Sequence, residues 1–189
     1  MVLLWAILLG LLIGLLRRGS LANLAKLELR AGGLVLLAVL LQILIFPLGP
    51  SAQPLISWGT EYLHLASYGC LLLFVIVNYH EWALWTMALG MILNFVVIAA
   101  NGGYMPASVE ALRAAGKTSV VESLLSTGRS GNVILMSDQT KLNFLGDIFW
   151  LPSWVPGASA FSIGDAILAL GIIWLLQAKL TARADSRFR

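Results

Sequence analysis

The sequence predicts an all-α integral membrane protein with five transmembrane helices. Its N-terminus is expected outside and its C-terminus in the cytoplasm, with a long outer segment of short interfacial helices. Three observations carry this reading. Hydrophobic residues fill 59% of the 189 positions and charged residues only 11%, against about 25% charged in an ordinary globular domain. The mean hydropathy is +0.89. The basic residues are sorted by position along the chain, as membrane orientation requires. A chain so poor in polar groups cannot cover a soluble surface. That excludes a cytosolic enzyme, a disordered protein and a nucleic-acid module.

The first apolar run, 2–16, is short for a span, since ~20 residues normally cross the hydrocarbon core. Arg17 and Arg18 follow it, whereas a signal peptide carries its basic residues ahead of the apolar run. It is read as an uncleaved first helix, extended by snorkelling arginines. Leu21, Leu24 and Leu27 recur at helical spacing beside Lys26 and Arg30, and Ser20 can cap the start, which predicts a short amphipathic surface helix. The second span covers about 31–46 and ends at Pro47, Gly49 and Pro50. The third covers 55–77. A tight turn at 78–81 leads to the fourth, 82–100, which Asn101-Gly102-Gly103 stops.

The outer segment spans 101–160. One small helix is predicted from Ala107 to Ala115, with Gly116 at its end. A second has Ser119 and Glu122 at capping-box spacing and Gly128 as its stop. Pro152, Trp154, Pro156 and Gly157 suggest a re-entrant or interfacial loop. The fifth span is 161–178. The cytoplasmic side then holds eight basic residues, Arg17, Arg18, Lys26, Arg30, Lys179, Arg183, Arg187 and Arg189. The outer side holds four, Arg113, Lys117, Arg129 and Lys141. Trp58, Trp150 and Trp154 would mark the outer interface, and Trp82 and Trp85 the inner one. The whole chain, 1–189, reads as one membrane domain.

Few acidic residues are present, so each can be weighed. Glu28, Glu81 and Asp185 fit the cytoplasmic interface, Glu110 and Glu122 fit exposed helix positions, and Asp138 fits a turn. Asp165 opens the last span, where it serves either as a functional charge or as a helix-terminal group that satisfies free amides. Asp147 lies 18 residues earlier, and a glycine precedes both. If the two meet, like charges push one pKa up, and an acid and a base result. Asn101 is either a helix C-cap or a donor into the outer cavity. Asn94, seven residues before it, suits a buried polar ladder between helices. Glu61 and His64 share a helix face. They form either a structural pair or, more weakly, metal ligands, and His64 alone is a weak tetrapyrrole ligand. Cys70, the one cysteine, excludes an internal disulfide and a cysteine-rich metal site. No cofactor is expected.

Four motifs carry a family resemblance. They are Arg17-Arg18-Gly19-Ser20-Leu21-Ala22-Asn23-Leu24, Asn101-Gly102-Gly103-Tyr104-Met105-Pro106, Thr140-Lys141-Leu142-Asn143-Phe144-Leu145-Gly146-Asp147 and Ser162-Ile163-Gly164-Asp165. In these the chain resembles an uncharacterised family of small bacterial integral membrane proteins, a domain of unknown function. The stretch Phe161-Ser162-Ile163-Gly164-Asp165-Ala166-Ile167 is also similar to the Phe-Asn-x-Ala-Asp segment of lipoprotein signal peptidases. That resemblance implies a catalytic dyad of Asp147 and Asp165, with Asn101-Gly102-Gly103 a looser parallel to that family's Asn-x-Gly motif. That family's Gly-Gly-Ala-x-Gly-Asn-x-x-Asp-Arg segment is absent from the chain.

Three functions are therefore expected to compete. The first is an accessory or scaffold subunit of a larger assembly in the bacterial inner membrane. Its partners would be the bilayer and another membrane protein or a second copy, with no nucleic acid. The second is an outer-face aspartyl hydrolase using Asp147 and Asp165. The third is a lipid or cofactor module using Asn94, Glu61 and His64.

Overall fold

The computed structural model describes residues 2–46 and 54–182. The loop residues Pro47, Gly49 and Pro50, and the tail residues Arg183, Asp185, Arg187 and Arg189, lie outside the described residues.

Five apolar helices form a row. These are α1 (Val2–Leu16), α3 (Gly33–Ile45), α4 (Thr60–Val77), α5 (Trp82–Ala100) and α8 (Ile163–Leu180), with the short α2 (Leu21–Leu24) following α1. Their principal contacts run α1 to α8, α8 to α5, α5 to α4 and α4 to α3. Three of them, α4, α5 and α8, are 18, 19 and 18 residues long and apolar enough to cross a membrane. The other two, α1 and α3, are more apolar but shorter, at 15 and 13 residues.

Small residues set the spacing of the row. Ala6, Gly10 and Gly14 form the buried stripe of α1. A Cβ built on Gly10 would lie 2.7 Å from Leu176 Cδ1 of α8. On the other side of α8, a Cβ on Gly171 would lie 2.9 Å from the Met87 amide, and one on Gly164 would lie 2.7 Å from the Gly90 carbonyl of α5. Helix backbones approach this closely in membrane proteins because close packing replaces the hydrophobic drive that water would supply. Polar groups seal the α1–α8 and α3–α4 seams. Gln177 donates to the Gly10 carbonyl (2.7 Å) and accepts from Arg17 (3.1 Å). Gln42 of α3 donates to Ser67 of α4 (3.0 Å).

Residues between α5 and α8 build a polar cap over one end of the row. It contains α6 (Val109–Ala114), α7 (Thr118–Thr127) and five short strands. Strand β3 (Val133–Leu135) pairs parallel with β1 (Met105–Ala107) and antiparallel with β2 (Arg129–Ser130). A separate hairpin pairs β4 (Phe149–Trp150) with β5 (Ala160–Phe161). Ala107, Leu112, Val121 and Leu124 form the cap's own small core. The cap is tied to α1 by the Trp5 indole, which donates to the Pro156 carbonyl (3.0 Å).

The structure corrects several expectations. The chain is mostly helical but not all-α, because the cap contains β-structure. Helix α4 begins at Thr60 rather than 55, since Gly59 takes a left-handed conformation (φ +63°) that interrupts the chain ahead of the helix. The surface helix after Arg18 is a single turn, 21–24, capped by Ser20. Gly116 and Gly128 do stop the cap helices at positive φ, but the Ser119–Glu122 capping box does not form: Lys117 occupies the N-cap and provides no side-chain cap. The segment 152–157 is the turn of the β4–β5 hairpin.

Candidate functional site

Where the cap meets α4, α5 and α8, the polar side chains of the bundle converge. Asp165 sits in the first turn of α8. Its Oδ2 accepts from the Ser162 amide (3.3 Å), while the Ser162 hydroxyl accepts from the Asp165 amide (3.0 Å), a reciprocal capping box. Asp165 is also tied to a neighbouring helix. Asn94 of α5 donates to Asp165 Oδ1 (2.8 Å), and the Asn94 carbonyl oxygen accepts from the Ser162 hydroxyl (2.7 Å). Asn94 and Ser162 are fully buried. The expected polar ladder therefore exists, and it ends on a carboxylate. Gly164 lets the ladder form, because any Cβ there would collide with the Asn94 side chain.

Asp147 is held differently. Its backbone is bridged to β1, with the Asp147 amide donating to Pro106 (2.8 Å) and its carbonyl accepting from Ser108 (3.0 Å). Gly146 permits this approach, since a Cβ there would sit 2.5 Å from the Pro106 carbonyl. The side chain is half-buried, and its carboxylate accepts no hydrogen bond from the described residues. Burial, reinforced by the nearby Asp165 carboxylate, pushes its pKa up from the usual carboxylate range to about 7. The two aspartates are thus brought within electrostatic reach in unlike surroundings. The means is the β4–β5 pairing, Phe149 to Phe161 and Trp150 to Ala160, which folds 147 back toward 165.

Tyr68 of α4 completes the cluster. Its hydroxyl lies beside the Asn94 side chain and within electrostatic reach of both Asp165 and Asp147. Sequence reasoning missed it, although its position four residues after His64 places it on the same helix face.

The other expected site residues are occupied elsewhere. His64 is buried and donates through Nδ1 to the Gly103 carbonyl (2.6 Å), with its ring edge-on to Phe46 at 4.7 Å. Glu61 does not pair with His64. It packs beneath Gly103, where a Cβ would come within 2.7 Å of the Glu61 Cβ. Both residues hold the Gly102–Gly103 turn rather than each other. Asn101 directs its amide at backbone, donating to Val97 and Lys141 and accepting from the Lys141 amide (2.7, 2.8 and 2.8 Å). It is a C-cap that anchors the cap's 141 region through backbone bonds. No group of three or more His, Cys, Asp or Glu side chains that could hold a metal ion occurs among the described residues.

A row of membrane-length helices, closed at one end by a polar cap with an aspartate pair at the junction, defines a helical protein suited to a membrane. The chain belongs to a family of unknown function, DUF5317, whose model matches residues 26–177. That stretch includes the third and fourth motifs, Asn101-Gly102-Gly103, and every residue of the aspartate cluster. No curated protein matches the chain, and no solved structure does.

Proposed function

We propose that this is a multi-pass protein of the bacterial cytoplasmic membrane whose cap faces outward and carries an acid–base site. In this reading α1 and α3 cross the membrane beside the three longer helices, with Arg17 and Arg18 snorkelling to the inner interface. The positive-inside bias supports the orientation.

The chemistry the site suits best is aspartyl hydrolysis of a lipid-linked or membrane-embedded peptide substrate. One observation carries it: Asp147, whose carboxylate has no hydrogen-bond donor among the described residues, lies within electrostatic reach of an Asp165 held by Asn94 and Ser162. Two carboxylates in unlike environments are the requirement for paired acid and base roles. Asp165, accepting at both oxygens, would take the proton of an attacking water. Asp147, protonated in a good fraction of molecules near pH 7, would give its proton to the carbonyl oxygen under attack. Asn94 and Ser162 act as positioning residues for Asp165.

The test uses full-length protein in lipid nanodiscs, incubated with a bacterial membrane-protein fraction, with new peptide termini read by mass spectrometry. Wild type should generate termini that Asp147→Asn and Asp165→Asn do not. Equal cleavage by either variant overturns the reading. The accessory-subunit alternative is favoured by the exposed aromatics Phe144, Trp150 and Trp154 on the cap. Its signature is a stoichiometric membrane partner retained by both aspartate variants in pull-downs and lost when these aromatics are changed.

A further inference from the structure

The N-terminal end of α4, the turn after α5 and Arg129 of β2 line an open polar cleft of about 250 Å³. Ser57, Thr60, Glu61, Tyr62, Tyr104 and Arg129 line it. Its floor is the Gly102–Gly103 turn, whose positive φ values (+65° and +88°) carry the backbone over Glu61 without a side chain in the way.

The cleft contains one acid and one base, Glu61 and Arg129, and they do not neutralise each other. Neither has an ion-pair or side-chain hydrogen-bond partner among the described residues. The Arg129 guanidinium is instead held over the Tyr104 ring, 4.7 Å from its centroid. That contact fixes the group's position while leaving its edge donors free. The strand pairing of Arg129 with Ile134 fixes the backbone beneath it. The cleft thus presents a fork of N–H donors and, across the turn, a carboxylate. It lies at the end of a helix long enough to cross a membrane, with the exposed aromatics Trp58 and Tyr62 beside it. Aromatics of this kind sit at headgroup depth.

The geometry points to a binding site for a zwitterion that carries a phosphate and a primary ammonium, the chemistry shared by an aminophospholipid headgroup and free phosphoethanolamine. Arg129 takes the phosphate through paired N–H donors. Glu61 accepts from the ammonium, which has N–H groups where a choline quaternary nitrogen has none. The site is separate from the aspartate pair and does not depend on the hydrolytic reading.

The experiment is native mass spectrometry of the full-length protein released from nanodiscs of equimolar phosphatidylethanolamine, phosphatidylcholine and phosphatidylglycerol. Wild type should retain phosphatidylethanolamine over each of the others by about fivefold, the scale of one partly exposed charge contact. Glu61→Gln should lose the preference over phosphatidylglycerol while still binding phospholipid, and Arg129→Gln should lose retention of all three. Melting curves matching wild type establish that both variants are folded. Displacement of bound lipid by soluble phosphoethanolamine supports the site with a free ligand as its source. Resistance to displacement supports the lipid as its source. Indiscriminate retention by wild type, or an unchanged preference in Glu61→Gln, overturns the proposal.

Discussion

Asn78 and Asn101 terminate the two adjacent helices α4 and α5 with the same set of hydrogen bonds. Each donates from its side-chain amide to the carbonyl four residues earlier, Phe74 or Val97. Each also clamps both backbone groups of a distant residue. Asn78 accepts from the Arg30 amide (2.7 Å) and donates to the Arg30 carbonyl (2.9 Å), and Asn101 does the same to Lys141. The two helices run in opposite directions, so the clamps sit at opposite ends of the row. One secures the segment before α3, and the other secures the cap.

Removing a clamp leaves backbone groups without partners, and the cost depends on whether water can replace it. Asn78 is buried, whereas Asn101 is partly exposed. Asn78→Ala is therefore expected to cost about 2–4 kcal/mol and Asn101→Ala about 1 kcal/mol. Thermal unfolding in one detergent should rank them in that order, and the reverse ranking would contradict the clamp assignment.

The raised pKa of Asp147 makes stability depend on pH. Its folded-state pKa, about 7, lies above the unfolded carboxylate value. Between roughly pH 4 and 7 the folded state therefore holds a proton that the unfolded chain has released. Its contribution is fully present below that window and is lost as pH rises through it. Asp147→Asn should remove this slope and gain about 1–3 kcal/mol at pH 8. Melting temperature against pH, wild type beside variant, is the measurement; parallel curves would refute the assignment.

The row of helices predicts opposite outcomes for two glycine substitutions. Gly164→Ala drives a Cβ into Asn94 and the Gly90 carbonyl and should cost about 1–3 kcal/mol by overpacking. Gly69, inside α4, has open space around its built Cβ. Gly69→Ala should be neutral or stabilise by about 0.5–1 kcal/mol through reduced chain entropy. Equal melting temperatures for the two variants would mean that α5 and α8 are farther apart than described.

At the other end of the row, Lys179 of α8 pairs with Glu81, the N-cap of α5, at 2.5 Å. Both side chains are about one-quarter exposed (26% and 28%), so the pair is worth about 0.5–1 kcal/mol. Glu81→Lys and Lys179→Glu should each destabilise, and the double exchange should recover most of the loss. A double-mutant cycle at low and high salt checks this, with coupling expected to shrink as salt rises.

What could be read from the sequence follows the range of the forces involved. Helix α5 occupies the expected 82–100 because a long apolar run meets Asn101-Gly102-Gly103, a local stop signal. The Asp165 cap was legible for the same reason, as Ser162 and Asp165 stand at capping spacing. The strands were not legible, since runs of two or three residues show no measurable alternation. The role of Asn101 was half legible: its C-cap position is local, but its partner Lys141 lies 40 residues away. The proximity of Asp147 to Asp165 depends on a hairpin whose strands are two residues each. That is why spacing alone could raise the pairing as a question without answering it.

The order of the row bears on how the chain is assembled. Helix α1 precedes the other four apolar helices in the chain, yet its principal partner is α8, the last of the five to be made. Until α8 arrives, the groove at Gly10 and Gly14 has no Leu176 or Leu180 to fill it, and the α5 face carrying Gly90 and Asn94 has no Ser162 or Asp165 to meet. Docking α8 fills both surfaces at once and fixes the aspartate against Asn94 in the same event. The site therefore cannot exist on a partly synthesised chain. Its completion and the closing of the helix row are a single step in biogenesis.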